Sequence, residues 1–340
     1  MTAPKRVTIA DIARLAGVSV GAVSFALNGR PGVSEQTRAR ILALAEEHQW
    51  QPSSAARALV GSRAGVIGLA LNRPARTLGS EAFFTDLIAG IQSGLGGTDV
   101  SLQLRLVASV DEEIAVHRRW RGAHQVDGVI VIDPREDDVR LARLASTGVK
   151  TVVIGSRPSP AGTAPTVWID DAQAARTLFA HLRELGHRRI AYVTGPADFE
   201  HTALRAKVLH GMGAQGVSTH TAFTDFSAAR TAAETRALLD AAEPPTAIVY
   251  DNDVMAVAGL GVAQERGVAV PSRLSLASFD DSVIAGLVHP SLTCLTRDTF
   301  ELGETATRLL LAQIASPTPL PSVAGPTPRL TVRESTAAPG

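Results

Sequence analysis

Residues 7–59 read VTIADIARLAGVSVGAVSFALNGRPGVSEQTRARILALAEEHQWQPSSAARAL, and this segment indicates three short amphipathic helices. Apolar side chains at positions 9, 12, 13 and 16 form one face of a helix that Thr8 can cap and Gly17 can end. After a short turn, Ser19 can cap a second helix, and Ser34 can cap a third. A helix, a glycine-containing turn and a second capped helix are typical of the helix-turn-helix, whose second helix enters the major groove of DNA. By pattern alone, a generic three-helix bundle fits equally well.

The composition is that of a globular protein with a sizeable core. The chain has 340 residues, 45% of them apolar and 19% charged, a length that suits about two domains. No run approaches the roughly 18 consecutive apolar residues of a membrane span, and the N-terminus lacks the apolar run of a secretory signal. We therefore expect a cytoplasmic protein with no membrane partner. Cys294 is the only cysteine and no Cys/His cluster has zinc spacing, so we expect no disulfide, metal or cofactor.

Charge is unevenly distributed along the chain. The whole sequence has a net charge of 0, with 33 basic and 33 acidic residues. Residues 1–63 nevertheless carry eight Lys and Arg against four Asp and Glu, a net charge of +4, which leaves −4 for the remainder. A basic N-terminal segment on an acidic body is expected if only that segment meets the phosphates of a nucleic acid.

From Gly65 onward the pattern changes to apolar, β-like runs that alternate with helical stretches. Such alternation predicts βα units and parallel sheets, and the number of runs predicts two α/β lobes. The Pro/Gly/Ser-rich segment from Ser156 to Pro165 is the predicted first crossover between the lobes. The nine runs are residues 65–71, 102–108, 127–133, 150–155, 166–170, 189–195, 246–251, 274–280 and 292–296.

Four motifs in the N-terminal segment carry a resemblance to a known family. They are D-I-A-x-x-A-G-V-S (residues 11–19), V-S-x-x-L-N (23–28), V-S-x-x-T-R (33–38) and P-x-x-x-A-R-x-L (52–59). Together they resemble the N-terminal region of the LacI family of bacterial transcription repressors, and residues 65 to about 335 resemble the periplasmic-binding-protein-like core of that family. The fold class implied is an all-α helix-turn-helix headpiece with a hinge helix, followed by a two-lobe α/β core with parallel sheets.

The resemblance also implies a division of the chain. We expect a headpiece (residues 1–51), a hinge helix or linker (52–63), an effector-binding core (64–335) and a short tail (336–340). Within the core we expect a first lobe of about 64–164 plus 298–320, and a second lobe of about 165–297 plus 321–335.

DNA contacts are expected from short polar residues near helix starts and from the exposed face of the second helix. For the serines and threonines, helix capping is the alternative role. The resemblance implies that Val20, Gly21 and Phe25 reach base edges. Many relatives carry a polar or charged side chain where Phe25 stands, and phenylalanine offers only apolar contact, so a relative's operator sequence does not transfer. In the headpiece the expected set is Thr8, Ser19, Val20, Gly21, Ala22, Ser24, Phe25, Asn28, Ser34 and Thr37, and the hinge adds Ala56 and Leu59.

Residues 52–62 match the hinge helix of the family. There, Ala56 corresponds to the small residue of that helix and Leu59 to the leucine that is levered between base steps in the minor groove. A helix this short is marginal in water, so we expect it to form only with DNA and the partner's hinge.

The expected effector residues follow strands or lie in segments that match the family's binding positions. Asp280 and Asn252 follow strand-like runs, and Arg205 lies in a segment where Val208 replaces the family's usual glycine. Phe84 and Phe226 match effector-contact aromatics, with Phe83 expected in the core, and Gly155 and Thr299 stand where some relatives carry another aromatic or acid. The alternatives are a helix cap or surface position for the polar residues and core packing for the aromatic ones.

These features together predict a homodimeric repressor. It would bind a near-palindromic double-stranded DNA operator at the nucleoid. It would respond to a small effector held between the lobes, and the effector class that we expect is a carbohydrate. One alternative is a sugar-binding protein without a regulatory role. The other is an enzyme that uses Cys294 or His187, although Cys294 lies in an apolar run and no catalytic motif is present, so we expect no catalytic residues.

Overall fold

The computed structural model of this chain describes residues 7–27, 29–50, 63–73, 75–158 and 163–340. It divides into two compact units, Met1–Ala64 and Gly65–Gly340. No single helix within these ranges has the length and apolarity to cross a membrane; the first two helices reach that length only as a pair, and the pair is bent by 101°.

The first unit contains three helices, α1 (Ile9–Ala16), α2 (Val20–Leu27) and α3 (Glu35–Glu47). Thr8 caps α1 in a capping box with Asp11, and Gly17 ends it in the left-handed conformation at φ 63°, where a side chain would be strained. Because α1 and α2 meet at 101°, their apolar faces converge on one small core against α3. Its fully buried residues include Ile12, Ala16, Val23, Ala26 and Ile41.

The second unit begins with a lobe built on a six-stranded parallel sheet. Its strands are β1 (Val66–Asn72), β2 (Ser101–Val107), β3 (Gly128–Val131), β4 (Lys150–Gly155), β5 (Thr166–Trp168) and β11 (Val323–Ala324). They lie in the order β11-β5-β4-β3-β1-β2. Apolar runs buried on both faces, as in β3, suit a parallel sheet covered by helices on both sides. Those helices are α4 (Ala75–Leu78), α5 (Ala82–Gly94), α6 (Val110–Gly122), α7 (Val139–Thr147) and α13 (Thr299–Ala315).

The second lobe repeats this plan with five parallel strands and one antiparallel edge strand. Its strands are β6 (Arg189–Thr194), β7 (Ser218–Phe223), β8 (Ala247–Tyr250), β9 (Ser275–Ser278), β10 (Thr293–Thr296) and β12 (Arg329–Thr331). They lie in the order β12-β10-β9-β8-β6-β7, and only β12 runs antiparallel to its neighbour. The helices are α8 (Asp171–Glu184), α9 (Glu200–Gly211) with a 3₁₀ turn at Met212–Gln215, α10 (Ala228–Leu239), α11 (Asp253–Glu265) and α12 (Val283–Leu287). The predicted fold class, a helix-turn-helix headpiece followed by a two-lobe α/β core with parallel sheets, is confirmed, whereas the predicted hinge helix lies outside the described residues.

The chain crosses between the lobes three times, and the expected lobe boundaries need correction. The crossings follow β5, β10 and β11. The segment Ser156 to Pro165 is not the first crossover, because β5 pairs with β4 in the first sheet, with Val153 opposite Thr166. Likewise β11 pairs with β5, so residues 323–324 complete the first lobe and do not belong to the second. The prolines and glycine of residues 156–165 indicate a loop, but only the pairing of the strand that follows shows to which lobe that loop belongs.

Candidate functional site

The helix-turn-helix presents one apolar face outward. Val20 is 45% exposed and Phe25 41% exposed, whereas Val23 and Ala26 of the same helix are buried in the core. Gly21 is exposed, and Ala22, Ser24 and Thr37 are half-buried. A large apolar side chain that is exposed and lies outside the core, such as Phe25, is suited to contact with the edges of DNA bases. Three other predicted DNA residues, Asn28, Ala56 and Leu59, lie outside the described residues.

The remaining predicted DNA-contact residues cap helices in this structure. The Ser19 hydroxyl accepts a hydrogen bond from the Ala22 amide at 3.2 Å. The Ser34 hydroxyl accepts one from the Thr37 amide at 3.3 Å and also donates to the Thr37 hydroxyl at 2.9 Å. With the capping box at Thr8, all three helix starts place a short polar side chain beside free backbone N–H groups. Capping and phosphate contact can use the same residues, because a helix start attracts anions.

A cleft lies between the two lobes of the second unit. It is lined at the carboxyl ends of β1, β3, β4 and β5 from one lobe and of β8 and β9 from the other. Carboxyl ends of parallel strands, where neighbouring connections diverge to opposite sides, are the usual ligand sites of such sheets.

All five predicted effector residues line this cleft: Phe84, Arg205, Phe226, Asn252 and Asp280. Gly155 also lines it. The expected division between the two neighbouring phenylalanines is wrong. Phe84 is 1% exposed and packs in the first lobe's core, while Phe83 is only half-buried and has the accessible ring in the cleft. Helix α5 turns position 84 towards the sheet, so position 83 faces the opening.

Arg205 organises the carboxylates of the cleft. Its guanidinium donates to Asp171 Oδ1 through Nε at 2.9 Å and to Asp251 Oδ1 through Nη1 at 2.6 Å, and all three side chains are buried. Burial alone would raise the pKa of Asp251, but Arg205 and His201 outweigh it and hold that pKa below its usual value. The same balance of burial against Arg205 lowers the pKa of Asp171. The group is therefore a charged, fully paired unit from α8, α9 and the end of β8.

Asn252 and Asp280 are partly used by the fold. Asn252 caps α11, its Oδ1 accepting from the Met255 amide at 2.9 Å, and its side chain also lines the cleft. Asp280 forms an ion pair with Arg297. The alternative role of a helix cap is therefore real for Asn252, whereas Asp280 has an ion pair in place of the expected cap or surface position, and both residues line the cleft.

Family models match both units of this chain. Residues 8–53 match the model of bacterial regulatory proteins of the lacI family, and residues 179–336 match the model of a periplasmic binding protein-like domain. Among curated relatives, the HTH-type transcriptional regulator CelR of Thermobifida fusca is 31% identical over 97% of this chain and 98% of its own length. The chain belongs to the LacI family.

Solved structures of LacI-family proteins agree with this assignment. The Lac repressor dimer bound to operator and the anti-inducer ONPF superposes with a TM-score of 0.80, at 25% identity over 98% of this chain and 100% of that chain. The complex of transcriptional regulator CelR with cellobiose superposes with a TM-score of 0.72, at 29% identity over 97% of this chain and 100% of that chain. Like the other members, this LacI-family chain is a DNA-binding transcriptional regulator, as the sequence predicted.

Arg73 is a cleft residue of this LacI-family chain that sequence reasoning missed. It follows β1 and pairs with Asp133 at 2.7 Å. Its guanidinium also lies over three rings, 4.8 Å from the centroid of Phe226, 5.0 Å from Phe199 and 5.5 Å from Phe84. The two phenylalanines predicted as a sugar platform therefore contact an arginine of the protein itself. Its position directly after a strand was the available signal.

The backbone is strained at two cleft residues. Phe226 has φ 65° and Asp133 has φ 49°, a region that side chains other than glycine's rarely adopt. At Phe226 a neighbouring glycine is required, because a Cβ on Gly195 would lie 1.9 Å from the Phe226 ring. Strained residues persist where the surroundings fix them and they concentrate at functional sites.

The residues considered for the enzyme alternative have structural roles. Burial raises the pKa of the Cys294 thiol, which disfavours the reactive thiolate. His187 lies within hydrogen-bonding distance of the Thr246 hydroxyl at 2.9 Å and the Ser275 hydroxyl at 3.0 Å. In the described part of the chain, no group of three or more His, Cys, Asp or Glu side chains is placed to hold a metal ion.

Proposed function

We propose that this protein is a homodimeric transcription repressor whose affinity for a near-palindromic operator is controlled by a sugar or sugar derivative bound between the lobes. One observation carries the effector part of the proposal: Arg205, Asn252 and Asp280, far apart in sequence, meet at the cleft with Phe83 and Phe226. Planar polar groups beside aromatic rings suit a ligand with hydroxyl edges and C–H faces. A relative, CelR, has been solved with cellobiose, which is the same class of ligand.

Operator recognition rests on the second helix of the headpiece. Val20 and Phe25 expose apolar surface that can contact thymine methyl groups, and the capped helix starts supply phosphate contacts. The net charge of +4 over residues 1–63 adds the sequence-independent attraction to DNA. Ala56 and Leu59 are proposed to enter the minor groove, with Leu59 as the wedge between base steps.

Effector control requires a ligand that binds two lobe arrangements with different affinity. In this structure the lobes contact each other across the cleft mouth: Arg135 pairs with Asp198 at 2.6 Å, and the Ser156 hydroxyl donates to Asp171 at 2.7 Å. A ligand that bridges Arg205 and Asp280 in the second lobe to first-lobe groups would favour this closed arrangement. Closure is then the event that we propose alters DNA affinity.

The test is footprinting of the full chain on its own upstream DNA, followed by anisotropy titration of the protected duplex. We expect protection centred on a palindrome, with an affinity at least about 10³-fold above that for a scrambled duplex of equal length. The affinity should fall steeply with salt because phosphate contacts release counterions. Equal affinity for both duplexes, with and without sugars, would remove the repressor proposal.

A further inference from the structure

Three buried polar atoms of the cleft have no hydrogen-bond partner. They are Glu81 Oε1, Arg73 Nε and Arg297 Nε, and they are three of only seven such side-chain atoms among the residues that the structure describes. Glu81 is 6% exposed. It stands at the start of α5, yet its carboxyl does not cap that helix. A buried polar atom without a partner destabilises the protein, so three at one cleft point to a ligand that supplies their partners.

The missing partners define the chemistry of that ligand. The two Nε–H groups need acceptors, and the carboxyl oxygen of Glu81 needs a donor. A hydroxyl group supplies both, because it donates one hydrogen bond and accepts two. Adjacent hydroxyl groups on one molecule would satisfy all three atoms without any formal charge.

The charges of the cleft disfavour an anionic ligand. Five carboxyl side chains line it against three arginines. Each arginine is already paired, Arg73 with Asp133, Arg205 with Asp171 and Asp251, and Arg297 with Asp280. Glu81 is the fifth carboxyl and has no ion pair of its own among the described residues. A phosphate group would have to displace an aspartate from its arginine and would leave that aspartate buried without a partner.

We propose that Glu81 is a specificity-determining residue of the effector site: it forms a hydrogen bond with a hydroxyl of an uncharged polyhydroxy ligand, in a cleft whose arginine-paired aspartates exclude the phosphate ester of that ligand. This inference rests on the proposed function, because it requires the cleft to be the effector site. It goes further by fixing the charge of the ligand and the residue that selects it.

The protonation of Glu81 agrees with this role. Burial raises the pKa of Glu81 to about 8; Arg73 opposes that rise, while the carboxylates of Asp280, Asp133 and Asp253 add to it. At neutral pH Glu81 is therefore a neutral carboxyl group, which can accept a hydrogen bond from a hydroxyl and donate one to it. A nearby phosphate would add negative charge to a region that already keeps Glu81 protonated.

The experiment measures binding of matched neutral and phosphorylated probes to the full chain by calorimetry at pH 7. The probes are glucose and glucose 6-phosphate, fructose and fructose 6-phosphate, trehalose and trehalose 6-phosphate, and cellobiose. We expect at least one uncharged probe to bind, and its phosphate ester to bind at least about tenfold more weakly. Glu81→Ala should weaken the uncharged probe about tenfold, whereas Glu81→Gln, which keeps the carbonyl oxygen, should stay within about threefold.

The controls separate this inference from misfolding and from the wider proposal. Thermal unfolding by circular dichroism checks that each variant folds, and Glu243→Ala, at an exposed loop position, should leave the Kd unchanged. Tighter binding of a phosphate ester or no loss in Glu81→Ala would overturn the inference. The inference would also be overturned if the protein bound its operator selectively but bound none of the uncharged probes. Loss of selective DNA binding under all conditions would instead overturn the proposed function.

Discussion

Arg205 shows how one side chain sets the electrostatics of the cleft. It is 3% exposed and forms ion pairs with Asp171 and Asp251, which are 4% and 3% exposed. Such buried charges are tolerated only because each is paired and hydrogen-bonded. The Asp251 carboxylate also accepts from the Thr194 hydroxyl at 2.9 Å, so the network reaches the end of β6. Removing the arginine would leave two buried carboxylates that must either stay uncompensated or take up protons.

Arg205→Met should therefore destabilise the core by about 3–5 kcal/mol at pH 7, measured by urea unfolding. Because Arg205 lowers the pKa values of Asp171 and Asp251, their stabilising effect is present above the ordinary aspartate pKa of 3.8 and is lost as the pH falls below it. The difference between the wild type and the variant should thus shrink as the pH falls towards 3. The control is Arg188→Met at an exposed position. A difference that grows at low pH would contradict the charge assignment.

Helix α2 illustrates the element scale, since one helix has to serve both the core and the DNA. Val20 and Val23 lie three residues apart on it, yet Val20 is 45% exposed and Val23 is 0% exposed. The same truncation at the two positions therefore separates recognition from folding.

Val20→Ala should leave headpiece stability within about 0.5 kcal/mol of the wild type but change the preferred operator bases. Val23→Ala should instead destabilise the headpiece, by about 2 kcal/mol, because it opens a cavity in a small core. Thermal unfolding measures the stability of both variants, and selection from a random-sequence DNA library measures their preferred operator bases. An unchanged consensus for Val20→Ala would show that this face does not read bases.

Elements also show what the sequence could predict. Each of the nine apolar runs overlaps a strand to within one residue of its ends or encloses it. Strand β7 was missed because four of its six residues, STHTAF, are polar and it lies at a sheet edge, and β11 was missed because it has only two residues, both exposed. In the cleft, Asn252 and Asp280 could be located because ligands bind at the carboxyl ends of parallel strands. This rule could not find Glu81, which precedes a helix. Arg73 and Asp133 do lie just after β1 and β3, but the sequence does not indicate that these two residues, 60 positions apart, pair with each other.

At the scale of the whole second unit, contacts between the lobes decide how easily the cleft opens. Glu200 of the second lobe accepts from the Ser156 amide of the first lobe at 3.0 Å and pairs with Arg157. Its own amide donates to the Pro134 carbonyl at 2.9 Å. Glu200 therefore joins two loops of the first lobe to the start of α9.

Glu200→Gln should shift the core towards an open arrangement, because it removes the charge that pairs with the half-exposed Arg157. A change of about 1 kcal/mol corresponds to roughly a fivefold change in the ratio of closed to open molecules. Energy transfer between dyes attached at positions 119 and 243 on the two lobes would report this ratio. The exposed Glu184→Gln is the matched control, and equal transfer efficiency in both variants would show that Glu200 does not hold the lobes together.

The three crossings of the chain also affect biosynthesis. Helix α13 and strand β11 complete the first lobe, yet the ribosome produces them after nearly all of the second. Leu302, Ala306 and Leu310 are at most 1% exposed within the first lobe's core, so until they emerge that apolar surface on the nascent chain has no cover. The lobe that is translated first is thus the one that cannot finish folding until translation is almost over, and its growing chain is the form most exposed to aggregation and most in need of chaperones.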